Sequence, residues 1–216
     1  MRKLWVFGCS VSDLYDSEAA KYYWSSEYLK WKGYAPKHYT QMLAEKYDCE
    51  LINCAVSSTN NYQIFQDFCD RVNEITNEDY VIFQWTETTR TRFVDDNDNW
   101  ESFICHAKMT MYKLNKFSHI SFKTTQQVLA NRLSKRYREE IESWEKLIRL
   151  KTNPHKFLVW DPFDMNGEHG KLVKSIETIS DETNKSIDDP HFSENGQIKL
   201  SNILINRLEA IKKDLI

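Results

Sequence analysis

The parts of an activated nucleophile sit at the two ends of this 216-residue chain. Ser10 follows Gly8 and Cys9 near the start, and His191 closes the run Asp188-Asp189-Pro190-His191 near the end. A serine hydroxyl is a poor nucleophile at neutral pH, so it needs a base in hydrogen-bond reach and a third group that orients the base. The order Ser…Asp-x-x-His, with Asp188 three residues ahead of His191, supplies all three from only two loops. Cys9 is a competing nucleophile, because a thiolate is intrinsically more reactive than a hydroxyl. Its position one residue earlier predicts that it points to the opposite side of the strand end.

Two loops far apart in sequence meet only if the elements between them bring them together. Short apolar runs read as strands: Leu4–Phe7, 50–55, 80–85 and 156–160. They lack polar alternation, which is the pattern of strands covered on both faces. Between them lie helical stripes. Pro36 is placed to open a helix bearing Tyr39, Met42, Leu43 and Tyr47. Asn60 or Asn61 caps one with Ile64, Phe68, Val72 and Ile75. The segment 131–151 aligns Leu133, Tyr137, Ile141, Trp144 and Ile148. The last segment aligns Leu200, Leu204, Leu208, Ile211 and Leu215, with Ser193 as its cap. Alternation of this kind predicts an α/β domain with a parallel sheet between helix layers. Ligands of such sheets bind beyond the carboxyl ends of the strands. Those ends deliver Ser10, then 57–60, then Thr86 to Arg90, then Asp161 and Asp164.

Composition limits the alternatives. At 41% hydrophobic and 28% charged, the chain suits one soluble domain spanning 1–216, large enough to bury a core without staples. A formal charge of −3 argues against a dedicated nucleic-acid binder. No run approaches the ~20 apolar residues a membrane span needs. Five cysteines without a CxxC pair predict free thiols and a cytoplasmic setting. Residues 95–125 follow no clean period and read as an insertion bordering a cleft.

The end blocks carry a resemblance. Phe7-Gly8-Cys9-Ser10-Val11-Ser12 is similar to the first block of the SGNH (GDSL-type) hydrolases, in which Gly-Asp-Ser follows the first strand. Asp188-Asp189-Pro190-His191-Phe192-Ser193-Glu194-Asn195-Gly196 resembles their last block. Asn53 to Asn60 and Val81 to Thr86 stand where the family places its second and third blocks. The resemblance implies a three-layer α/β/α, flavodoxin-like fold, with Ser10 attacking an ester carbonyl and His191 taking its proton. Asp188 would orient His191, with Asp189 as the other acid the spacing allows. The family's acid before the nucleophile is Cys9 here, its second-block glycine aligns with Ser57, and its Gly-x-Asn-Asp is replaced by Gln84-Trp85-Thr86-Glu87. The Ser57 backbone N–H, Gln84, Thr86 and Asn60 are therefore the candidate oxyanion donors.

Other signals are weaker. Arg90 and Arg92 suit a substrate carboxylate or phosphate, or else a solvated loop paired with Asp95 and Asp96. Asp161, Asp164 and His169 have no recognised ligand spacing, and no metal is expected. The basic run Arg132, Lys135, Arg136, Arg138 reads as a solvated helix face. Without GxGxxG or a P-loop, no dinucleotide or other cofactor is expected. The cluster Tyr22, Tyr23, Trp24, Tyr28, Trp31 and Tyr34 serves either helix packing or an apolar, sugar-stacking wall. Two functions follow: cofactor-independent hydrolysis of a small-molecule or glycan ester, or a non-catalytic module of the same fold that binds a glycan or protein.

Overall fold

Leu4 and Val6 lie on one face of the first strand and Trp5 and Phe7 on the other, and all four are buried. That double burial is why the strand reads as an unbroken apolar run. The computed structural model describes residues 1–87, 90–94, 100–104, 134–162 and 174–214. Its strands are β1 (Lys3–Phe7), β2 (Glu50–Asn53), β3 (Tyr80–Gln84), β4 (Arg90–Val94), β5 (Trp100–Ile104) and β6 (Phe157–Trp160). Its helices are α1 (Glu18–Tyr23), α2 (Ser26–Lys32), α3 (Tyr39–Lys46), α4 (Asn61–Arg71), α5 (Ser134–Lys151), α6 (Ile179–Glu182) and α7 (Glu194–Asp214).

β1, β2, β3 and β6 form a four-stranded parallel sheet in the order β2-β1-β3-β6. On one face Leu4, Val6, Ile82 and Leu158 pack against Tyr39 and Leu43 of α3 and Leu200, Leu204 and Leu208 of α7. On the other, Trp5, Phe7, Val81 and Phe83 pack against Ile64 and Phe68 of α4 and Ile148 of α5. Each such side chain stabilises the fold by about 1.5–3 kcal/mol relative to exposure. The architecture is α/β/α, as the alternation predicts. The sheet order is that of flavodoxin-like sheets, whose ligands sit where strand order reverses, beside the first strand. β1 pairs with β3 from Leu4↔Tyr80 to Phe7↔Phe83, so Gly8 and Gln84 emerge side by side at that reversal.

At the opposite edge, Asp79 accepts from the backbone N–H of Lys3 (2.8 Å) and Thr76 (2.9 Å) and from Trp5 Nε1 (3.3 Å). Burial opposes ionisation, but these donors outweigh it and hold the carboxyl below the usual aspartate range. The stabilisation is therefore present above that range and is lost as pH falls through the lowered value.

Several boundaries differ from the sequence reading. Pro36 does not open α3. His38 caps it, with Nδ1 facing Thr40 N at 3.4 Å and Gln41 Oε1 accepting from His38 N at 2.7 Å. β2 stops at Asn53, because the Asn53 side chain turns to accept from Ala55 N (2.9 Å) and donate to Ser12 O (2.9 Å). Asn60 caps α4 as expected. Ser193 Oγ accepts from Gly196 N at 3.1 Å, the cap the sequence proposes for α7. Within the expected insertion, 100–104 form β5, which pairs antiparallel with β4 just ahead of it. The rest of 95–125, together with Leu133, Leu215, Asp164 and His169, lies outside the described residues. Among the described residues no helix is long and apolar enough to cross a membrane.

Gly196 occupies the first turn of α7 because nothing larger fits: a Cβ there would lie 2.2 Å from the Glu177 carbonyl oxygen. Gly196→Ala is expected to cost about 2 kcal/mol, a fall in Tm of roughly 4–8 °C by calorimetry. An unchanged Tm would show that the contact relaxes freely.

Candidate active site

The Ser10 turn is shaped by Gln84. Its Oε1 accepts from Cys9 N at 2.9 Å and Ser12 Oγ at 3.2 Å, and its Nε2 donates to the Trp85 carbonyl. A Cβ on Gly8 would stand 2.8 Å from that Oε1, so the glycine permits the close approach. The Cys9 carbonyl accepts from Ser12 N (2.9 Å) and Asp13 N (3.0 Å), closing the turn. Ser10 is buried there, its Oγ 4.0 Å from Cys9 Sγ. Cys9 itself is buried in the apolar layer with Trp5 and Phe7. Gln84→Leu keeps the volume but strands the Cys9 N–H and the Trp85 carbonyl. Each buried orphan costs about 1–3 kcal/mol, so Tm should fall by roughly 4–24 °C in total. A shift under a degree or two would mean the turn holds without this amide.

His191 is held from both ends of its loop. Its Nδ1 is 2.6 Å from Asp189 Oδ1, which also accepts from its backbone N–H at 2.8 Å. The ring therefore bonds to Asp189 and not to Asp188, a correction to the three-residue spacing. Asp189 is buried and Asp188 exposed, because the Asp189 backbone is pinned to α6: Ser180 Oγ accepts from Asp189 N at 2.7 Å, and Asp189 O accepts from Ser180 N at 2.9 Å. The His191 carbonyl accepts from Ile179 N at 2.7 Å. Since the carboxylate only accepts, Nδ1 carries the proton and Nε2 of the neutral ring is the basic nitrogen.

Asp13, Trp24 and Tyr15, none singled out as a site residue on sequence, tie this loop to the Ser10 turn. Asp13 accepts from both the backbone N–H (3.0 Å) and the hydroxyl (2.6 Å) of Ser57. Ser57 Oγ in turn accepts from Trp24 Nε1 at 2.9 Å. Trp24 lies flat on His191, ring centroids 4.0 Å apart and planes 17° from parallel. His38, fully buried, donates from Nε2 to the Val11 carbonyl at 3.2 Å. Burial pushes its imidazole down to about 3, with nearby His191 adding to the effect, and both ring nitrogens are engaged, Nδ1 by Thr40 and Nε2 by the Val11 carbonyl. Tyr15 OH also donates to the Phe192 carbonyl. Only the position of Trp24 within an aromatic run hinted at any of this.

The oxyanion candidates fare unevenly. Ser57 N–H is spent on Asp13, and the Gln84 amide is committed to the turn through Oε1 and one N–H. Asn60 Oδ1 accepts from Gln63 N at 3.1 Å to cap α4. Thr86 is buried, its backbone clamped by Asn61 at 2.7 and 2.9 Å, with its hydroxyl unpartnered. Arg90 Nη1 donates to the Thr59 carbonyl at 3.4 Å. Its expected alternative partners, Asp95 and Asp96, lie outside the described residues, as does the side chain of Arg92. Among the described residues Ser10 Oγ makes no hydrogen bond to His191, and the Ser10 backbone N–H donates to none.

The fold and site thus define a parallel α/β/α domain with a serine turn and a His–Asp loop tied to each other by shared contacts. No family model matches the sequence, and no curated protein matches it. One solved structure is similar, a protein of Desulfitobacterium hafniense assigned provisionally to the G-D-S-L lipolytic family. It is 13% identical, with a TM-score of 0.40 over 96% of this chain and 99% of that one.

Proposed function

We propose that the protein is a serine ester hydrolase of the SGNH type, with Ser10 as nucleophile, His191 as base and Asp189 as the orienting acid. The observation that carries this reading is the bond from His191 Nδ1 to buried Asp189, which leaves Nε2 basic. Ser10 Oγ attacks the ester carbonyl as Nε2 takes its proton. The tetrahedral intermediate expels the alcohol, which receives that proton, and water then releases the acyl group by the same steps in reverse order. The Ser10 N–H serves as oxyanion donor in this reading, with the unpartnered Thr86 hydroxyl as a second candidate. Nucleophile–base pairs are commonly loose without substrate, and Ser10 and His191 close on each other in the bound state. Substrates in this reading are small-molecule or glycan esters, met in the cytoplasm and cleaved without a cofactor.

The committed Ser57 N–H and Gln84 amide favour a second reading, a non-catalytic binding module of the same fold. Loss of one oxyanion donor typically costs on the order of 100- to 1000-fold. Steady-state hydrolysis of p-nitrophenyl acetate separates the two. Turnover by the intact chain that His191→Ala abolishes supports the enzyme, and equal rates for both proteins support the binding module.

A further inference from the structure

A cleft of about 390 Å³ opens beside the base, lined by Tyr22, Tyr23, Trp24, Glu27, Asp188 and His191 among others. Tyr22 and Tyr23 end α1 as a perpendicular pair, centroids 4.8 Å apart and planes at 88°, so together they make a two-walled aromatic corner. Both rings are open to solvent, Tyr22 at 82% and Tyr23 at 51%. Glu27 and Asp188 are exposed, and neither forms an ion pair with a described residue. No lysine or arginine is among the described residues that line the cleft. A large, accessible aromatic pair needs a reason in a folded chain, and so do two uncompensated carboxylates beside it.

We infer that this cleft binds a substituted ammonium group, carried by the alcohol part of the ester. The inference deepens the hydrolase reading by naming a substrate class, and rests on it only for the link to turnover. The negative faces of the tyrosine rings attract a cation, by roughly 0.5–1 kcal/mol at exposed sites. Glu27 and Asp188 add their charge, and an ammonium group carried on a compact organic body suits both features at once. A neutral sugar ring stacks on the same corner without using the charge. Two sources share the required chemistry, a quaternary ammonium alcohol of the choline type and an amino sugar.

Calorimetric titration of the full chain at low salt tests this without any hydrolysis, so a failure of the esterase reading leaves the result intact. The ligands are choline, its neutral isostere with tert-butyl in place of trimethylammonium, glucosamine and glucose. The cleft predicts that at least one ammonium ligand binds about tenfold more tightly than its neutral counterpart. It also predicts that the preference collapses in E27Q/D188N, whose surface changes leave the far-UV dichroism unaltered. Preference in the choline pair assigns the quaternary source, and preference in the glucosamine pair assigns the amino sugar. Equal binding of charged and neutral partners, no binding of any, or a preference that survives the double variant overturns the assignment.

Discussion

Ser10→Ala is expected to lower kcat for ester hydrolysis on the order of 10⁵-fold or more, the scale seen when a nucleophile is removed from a Ser–His–Asp machine. The fold should not notice. Among the described residues Ser10 Oγ makes only the long contact to Cys9 Sγ, and the turn is held by Gln84, Ser12 and the Cys9 carbonyl instead. Melting temperature should therefore stay within about 2 °C while turnover disappears. A variant that keeps both stability and rate would mean the hydrolysis uses another group or none in this turn.

Asp189→Asn should be the next most damaging change. The aspartate accepts from His191 Nδ1 and so fixes the proton there, leaving Nε2 to act as base. A carboxamide can instead donate to Nδ1, which forces the proton onto Nε2 and removes the base. Loss of the correct tautomer costs on the order of 10⁴-fold in kcat in serine proteases. Asp188→Asn, measured on a neutral ester, should fall at least about a hundredfold short of that loss, because Asp188 is exposed and His191 Nδ1 bonds to Asp189 instead. Equal losses in the two variants, or the reverse order, would return the orienting role to Asp188.

These two expectations show where sequence reasoning reached and where it stopped. The four strands were legible because both sheet faces are covered, which writes burial into the sequence as continuous apolar runs such as Leu4–Phe7 and Tyr80–Gln84. Ser10 was legible because a strand end and a glycine leave few positions for it. The choice between Asp188 and Asp189 was not. It depends on Ser180 of α6 pinning the Asp189 backbone, a contact across nine residues that spacing does not encode. Gln84 drew notice as a replacement for a family asparagine, yet its amide serves the turn, because its approach to Gly8 is a tertiary fact. In the sequence Asp13 carries no signal of a site, and Trp24 is one aromatic of a cluster. Their role appears only when Ser57 is seen to accept from the indole and donate to the carboxylate.

Labelling with a fluorophosphonate probe, mapped by peptide mass spectrometry, tests the central claim most directly, because the probe reacts only with an activated serine and needs no knowledge of the substrate. The account predicts one adduct, on Ser10, that is lost in both Ser10→Ala and His191→Ala. A folded protein that takes no label, or a label that persists after Ser10→Ala, would contradict it.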